Sequence, residues 1–271
     1  MNTLCSVDGR DKAHTDELLP WMSYGGVIAN RGIVQFQWLG KFLCASNKGD
    51  VLDANARALE CVSALCHNLS HGNHAPGSVS ARCVSEMRLQ YATAIAERER
   101  ETNHDIKATE LENKQLLTAA MVDAGVYSDE ITGIVELLHF GLTSEDVGDV
   151  ARVWGIKRSC LDVVVPAVER VLATLECMSQ VYAEVVMAAR THGQLAVPTT
   201  FGHAMAVPWY RVSQELVVFK EAVARLEAKF GGAVGTHAAL YGAYPDIDWE
   251  KTSEEFLRDT FDLGRARYTT Q

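Results

Sequence analysis

Three short segments of this 271-residue chain bring together side chains that can do chemistry. Thr102-Asn103-His104-Asp105-Ile106-Lys107 places an imidazole, a carboxylate and an ammonium in one stretch, with His104 and Lys107 three apart on one helical face. Thr143-Ser144-Glu145-Asp146 offers two hydroxyls beside two carboxylates, a composition that also suits the cap of a long helix. Arg190-Thr191-His192-Gly193-Gln194 directly follows an apolar helical stretch. A histidine changes charge near neutral pH and so serves as a general acid or base, whereas Lys and Arg hold anions. Each segment also has a plain reading. The first suits a solvated helix turn, the second an N-cap, and the third a helix end with Arg and His near its C-terminal dipole.

Two other clusters point less clearly to chemistry. His67 and His71 have the four-residue spacing of paired ligands on a helix, next to Cys66 and His74, but no carboxylate or second ligand pair completes a zinc-like set. No metal and no cofactor is expected. Gly231-Gly232-Ala233-Val234-Gly235 lacks both phosphate-loop spacings and reads as a helix stop with a tight turn.

These residues need elements to position them, and the apolar pattern is helical almost throughout. Trp209, Val212, Leu216, Phe219, Val223, Leu226 and Phe230 step by alternating threes and fours, predicting one long helix with Pro208 at its start and Gly231 at its stop. Val168, Val171, Leu172, Leu175, Met178, Tyr182 and Val185 predict a second, with residues 144–165 helical before it and either a kink or a break at Pro166. Residues 26–46, 52–70 and 80–100 predict shorter helices, and 71–80 a loop. Thr252 and Glu255 suggest a capping box for a helix over 254–261. Strand signals are sparse. The reading is all-α, an N-terminal helical domain over 1–130 and part of a long central helical bundle over 131–271.

Composition narrows the function classes. With 48% hydrophobic and 22% charged residues, the chain is neither disordered nor a disulfide scaffold. A net charge of −10 argues against general nucleic-acid binding, and no apolar run long enough for a membrane span is present. Seven cysteines without a CxxC suggest free, mostly buried thiols in a reducing compartment, with the cytoplasm as the default location.

Together the three segments, with His139 and Phe140 just before the second, resemble the successive active-site segments of the adenylosuccinate lyases, within the aspartase/fumarase superfamily. Val7-Asp8-Gly9-Arg10, Ser23-Tyr24-Gly25, Gly232-Ala233-Val234-Gly235, Ala243-Tyr244-Pro245, Asp248-Trp249 and Tyr268-Thr269-Thr270-Gln271 extend the likeness in the family's order along the chain. The resemblance implies β-elimination of fumarate from adenylosuccinate to give AMP, and from the succinylated carboxamide intermediate of purine synthesis. It implies His192 as the general acid on the leaving nitrogen, with His104 beside it as the second catalytic histidine. Lys107 would add positive charge, and Thr143 and Ser144 would bind the succinyl carboxylate. Arg10 would meet the phosphate, and Gln271 the succinyl end or the reacting nitrogen. Asn103, Asp105, Thr191 and Gln194 would complete the substrate-binding set. It also implies a homotetramer built on a shared central bundle.

The sequence departs from the family in three places. Asp11 follows Arg10 where the family has tyrosine, placing a carboxylate near a phosphate. Leu195 replaces the usual proline. The family's Ser-Ser-x-Met-Pro loop, source of the catalytic serine base, is absent, since the chain contains no Ser-Ser and no Met-Pro. Two expectations follow: a truncated lyase that is inactive alone, or a non-catalytic lyase-like helical protein binding a nucleotide or partner subunits. A third is a superfamily member acting on another succinyl adduct.

Overall fold

The computed structural model describes residues 18–46, 53–71 and 81–270, which form two compact units. Of the described residues, those up to Ile156 and from Leu226 onward form the first, and Lys157–Arg225 form the second.

In the first unit the helices are α1 (Leu19–Met22), α2 (Tyr24–Ser46), α3 (Asp53–His71), α4 (Ala81–Thr102), α5 (Asp105–Asp123), α6 (Ser128–Val135), most of α7 (Ser144–Ser159), and the later α10 (Ala238–Ala243) and α11 (Trp249–Phe261). Helix α2 is the axis, packed against α3, α4 and α5 and against α11 (Trp249–Phe261). Its sequence explains this position. Between Gly26 and Ser46 only Arg31 and Lys41 are charged, and Ile28, Val34, Phe36, Trp38, Leu39 and Phe42 are wholly buried. Trp38 is the centre of an aromatic cluster that ties distant sequence together. Its ring centroid lies 4.9 Å from Phe230 and 5.3 Å from Phe256, and its indole N–H donates to the Phe140 carbonyl at 3.1 Å.

That cluster decides where the long C-terminal pattern breaks. The helix α9 (Phe201–Ala224) ends at Ala224, seven residues before the predicted stop at Gly231. Leu226–Phe230 instead leaves as extended chain, with β3 (Glu227–Ala228) pairing in parallel with β4 (Gly264–Arg265). Phe230 keeps the helical spacing in sequence, but the aromatic core around Trp38 is where it is buried. At the other end, α9 begins at Phe201, capped by the Thr200 hydroxyl accepting from the His203 N–H at 3.1 Å. Pro208 is therefore inside the helix, not at its start.

The second unit is a helical pair with a hairpin at one end. Helix α7 runs into a π turn over Cys160–Val164, and α8 (Val165–Val181) follows. In the π turn the Val165 N–H donates to the Cys160 carbonyl, five residues back. Pro166 has no N–H and its ring clashes with a normal helical turn, so widening the preceding turn carries the chain past it. Helices α8 and α9 run antiparallel, with Lys220 Nζ 2.6 Å from Glu169 Oε1 near one end and Gly202 pressed on the Ser179 carbonyl at the other. On α9, which packs against α8, the predicted seam is buried at Leu216 and Val223 and half-buried at Trp209, Val212 and Phe219.

The fold is helical, as the periodicity predicts, with two small two-stranded sheets among the described residues. The larger is a correction. β1 (Val186–Thr191) and β2 (Gln194–Thr200) pair antiparallel where the sequence reading has the end of a helix. Helix α8 stops at Val181, short of the predicted Val185. Helix α11 starts at Trp249, five residues early, because Asp248 is the cap and accepts from the Lys251 N–H at 3.0 Å. Of the five described cysteines only Cys61 and Cys66 are buried, so the thiols are less hidden than expected. Burial pushes the Cys66 thiol up to about 12. Among the described residues no helix is long and apolar enough to cross a membrane, and no three His, Cys, Asp or Glu side chains are grouped to hold a metal. The predicted 71–80 loop, including His74, lies outside the described residues apart from the end of α3.

Candidate active site

In the first unit the Thr102–Lys107 segment is a corner, not a helical turn. Helix α4 ends at Thr102, and Asn103 takes the left-handed conformation with φ 50°. His104 then caps α5 in extended backbone, and its Nδ1 accepts from the Lys107 N–H at 3.2 Å. The three-residue spacing of His104 and Lys107 therefore makes a cap. The cap has a chemical consequence. With Nδ1 accepting, the imidazole proton of neutral His104 sits on Nε2, which faces the Ser144 hydroxyl at 3.3 Å.

Ser144 is the first residue of α7, and Thr143 caps it. Asp146, three residues on, accepts from the Thr143 N–H at 2.9 Å, the carboxylate half of a capping box. Asp146 does more than cap. Its carboxylate is wholly buried and accepts from Gly231 N–H at 3.1 Å, Gly232 N–H at 2.9 Å and Lys229 Nζ at 2.6 Å. The glycine-rich loop is thus neither a helix stop nor a phosphate cradle. It wraps a carboxylate from its own chain, and positive φ at Gly232 and Gly235 gives it the needed turns. Thr269 of the C-terminal segment lies against Gly235, where a Cβ would fall 2.7 Å from its carbonyl.

The remaining members of the corner divide between solvent and anchoring roles. Lys107 is half exposed and pairs with Glu110 at 2.9 Å, which also meets Lys114 at 3.0 Å. Burial raises the Glu110 carboxyl, but hydrogen bonds from the two lysines outweigh it and hold the group below the usual carboxylate range. Asp105 uses both oxygens within the chain, one accepting from the Ile106 N–H at 2.8 Å and one paired with Arg31 at 2.7 Å. His139, half-buried in the turn before Thr143, completes the corner and had no role in the sequence reading. Burial pushes its imidazole below the usual value. The charges it feels are those of Glu110, Asp146, Lys107 and His104. Its place beside Phe140 in the matched motif was the available signal.

In the second unit Thr191 and Gln194 are partners across the closing pair of the hairpin. His192 and Gly193 form its two-residue turn with φ 50° and 77°, the type I′ geometry that matches strand twist. Arg190 Nη1 donates across the turn to the Gly193 carbonyl at 3.3 Å, and the turn residues are exposed. The structure thus groups His104, Lys107, Thr143 and Ser144 on one unit and Thr191, His192 and Gln194 on the other. Arg10 and Gln271 lie outside the described residues.

A helical core presenting a histidine, a lysine and two hydroxyls at one corner fits a lyase, and the sequence comparisons agree. The sequence model of the Lyase family matches residues 43–258, and the chain belongs to that family. Within it, the similar curated proteins are adenylosuccinate lyases. That of Vibrio cholerae serotype O1 is 30% identical over 273 residues, covering all of this chain and 53% of that protein. That of Dictyostelium discoideum is 37% identical over 194 residues, covering 69% of this chain and 40% of that protein. The chain spans about half the length of the curated relatives it matches. Among solved structures, a fumarate lyase from Mesorhizobium sp. BNC1 matches 97% of this chain and 51% of its own, with a TM-score of 0.64 and 22% identity. A β-carboxy-cis,cis-muconate cycloisomerase from Acinetobacter calcoaceticus sp. ADP1 matches with a TM-score of 0.63 and 21% identity, covering 93% and 50%. These two establish the shared helical fold.

Proposed function

We propose that the chain carries part of an adenylosuccinate lyase site and contributes to the β-elimination of fumarate from adenylosuccinate, or from the related succinylated carboxamide. The reaction removes a proton from a carbon beside a carboxylate, passes through an enolate-like dianion, and protonates the departing nitrogen. The observation that supports this reading is the His104–Ser144 corner. His104, held as the cap of α5, presents Nε2–H to the Ser144 hydroxyl, Ser144 and Thr143 supply hydroxyls at the N-terminus of α7, and Lys107 adds a partly exposed cation. Those groups suit a succinyl carboxylate. His192, exposed at the tip of a tight two-residue turn, suits the acid on the leaving nitrogen. Asp105 acts by anchoring the corner to Arg31, and Arg10 and Gln271 would contact the phosphate and succinyl ends.

The serine base has no counterpart among these 271 residues, which lack a Ser-Ser pair. We therefore expect this chain alone to bind adenylosuccinate without releasing fumarate. Calorimetric titration with adenylosuccinate tests the binding, and a coupled assay for fumarate tests the inactivity. No binding, or binding unchanged in His104→Ala, sinks the site assignment, and turnover sinks the inactivity. In a protein containing these residues together with a Ser-Ser-x-Met-Pro loop, His192→Ala should lower fumarate release about 10²–10⁴-fold while the helical signal is retained.

The tetramer is also a proposal. In the second unit Tyr210, Val217 and Val218 on α9 and Val171 and Val181 on α8 are more than half exposed. We read these faces as places for further copies of the chain in a shared bundle.

A further inference from the structure

A buried line of hydrogen bonds crosses three helices of the first unit and ends at His139. Tyr91 on α4 donates its hydroxyl to Asn113 Oδ1 on α5. Asn113 Nδ2 donates to Gln35 Oε1 on α2 at 2.8 Å and to the Gly32 carbonyl at 3.4 Å. Gln35 Nε2 lies 3.2 Å from His139 Nδ1. Gln35 and Asn113 have no solvent exposure, so these bonds have no competition from water.

The direction of every bond follows from its fixed end. The Gly32 carbonyl only accepts, so it is the Asn113 nitrogen that faces it, and the second hydrogen of that nitrogen goes to Gln35. Gln35 must then present its oxygen to Asn113 and its N–H to His139. An N–H pointing at Nδ1 requires Nδ1 to be bare, which leaves the ring proton on Nε2. No described residue hydrogen-bonds that Nε2. The absence of a side chain at Gly32 is part of the arrangement, because a Cβ there would collide with the Tyr91 hydroxyl.

We propose that Gln35 and Asn113 are positioning residues that hold His139 in the Nε2–H tautomer, so that the site receives a fixed N–H donor. A protonated Nδ1 would turn its hydrogen against the Gln35 N–H, so the same line opposes the imidazolium. Of the groups around the ring, Glu110 and Asp146 favour the charged form and Lys107 and His104 oppose it. Use of the donor by substrate rests on the function proposed above, but the tautomer does not.

The test is ¹⁵N spectroscopy of the imidazoles in this chain, without ligand, between pH 6 and 8. The expected His139 signals are a bare Nδ1 and a protonated Nε2 across that range. A protonated Nδ1, or a ring exchanging between tautomers, overturns the proposal without any variant. Gln35→Met removes the donor at nearly constant volume, and Asn113→Leu frees the Gln35 amide to turn over. Both should give a mixed tautomer and an earlier onset of ring protonation as pH falls. A purely structural role would lower stability and leave the tautomer as it was, and that result also overturns the proposal. Adenylosuccinate is then added. Gln35→Met should weaken its binding by roughly tenfold, the effect of losing one oriented hydrogen bond. If the unsubstituted chain binds none, the functional reading fails while the spectra still decide the tautomer.

Discussion

At the residue scale, the buried Asp146–Lys229 pair, buried His237 and half-buried His139 bear on the stability of the first unit. Asp146 receives three backbone N–H groups and Lys229 Nζ, with no exposure of its own carboxylate. Asp146→Asn removes the charge and one acceptor, leaving Lys229 buried without its counter-ion. The expected loss is about 3–5 kcal/mol in urea unfolding, and under 1 kcal/mol would show that the clamp is dispensable. His139 and His237 are both pushed below the ordinary histidine value, burial being the main cause in each. An unfolded chain protonates them first, near pH 6.5, so it binds more protons than the folded chain below that point. Stability should therefore fall as pH drops from 7 through 6.5 and below. Equal unfolding midpoints at pH 7 and 5.5 would contradict this, and in His237→Gln the pH dependence should shrink.

At the element scale, a hairpin in one unit and a helix cap in the other give the sequence motifs their local geometry. Arg190–Gln194 has the composition of a helix end, and local propensity alone does not separate that from a turn. What decides is the pairing of Val186–Thr191 with Gln194–Thr200, which needs two residues at positive φ between them. Gly193 takes φ 77° without strain. Gly193→Val should destabilise the turn by about 1–2 kcal/mol. Amide exchange should then rise across β1 and β2 while α8 and α9 keep their protection, and unchanged exchange in the strands would refute the turn's role. The Thr102–Lys107 segment carries a related lesson. Its residues were readable as chemistry, but His104 faces Ser144 only because Asn103 breaks the helix in a left-handed conformation.

At the scale of the whole molecule, apolar surface outruns what the chain covers by itself. Leu195, Val197 and Val186 on the hairpin are 70% exposed or more, and Tyr210 and Val218 on α9 are 60% or more. Such faces drive association in water. Light scattering at micromolar concentration should report a species larger than the 29.7 kDa monomer, and a Val217→Glu, Val218→Glu double substitution on α9 should shift it towards one chain. A monodisperse monomer of the unsubstituted chain would contradict the reading of these faces as interfaces. The net charge of −10 is the background against which a local cluster such as His104 and Lys107 must attract an anionic ligand.

The sequence by itself determined the helical class, the existence of the long helices and the three segments that mark the lyase family. These are short-range properties, since periodicity and motif order are written in neighbouring residues. Tertiary structure alone decided where α9 ends, because Phe230 is buried by Trp38 and Phe256, which lie far away in sequence. It also decided that the glycine loop holds Asp146, that His104 is a cap facing Ser144, and that His139 closes a line of hydrogen bonds from Tyr91. Each of these joins residues between 40 and 104 positions apart, or crosses several helices. A buried polar group takes whichever partner the packing brings to it, and local composition does not encode that choice.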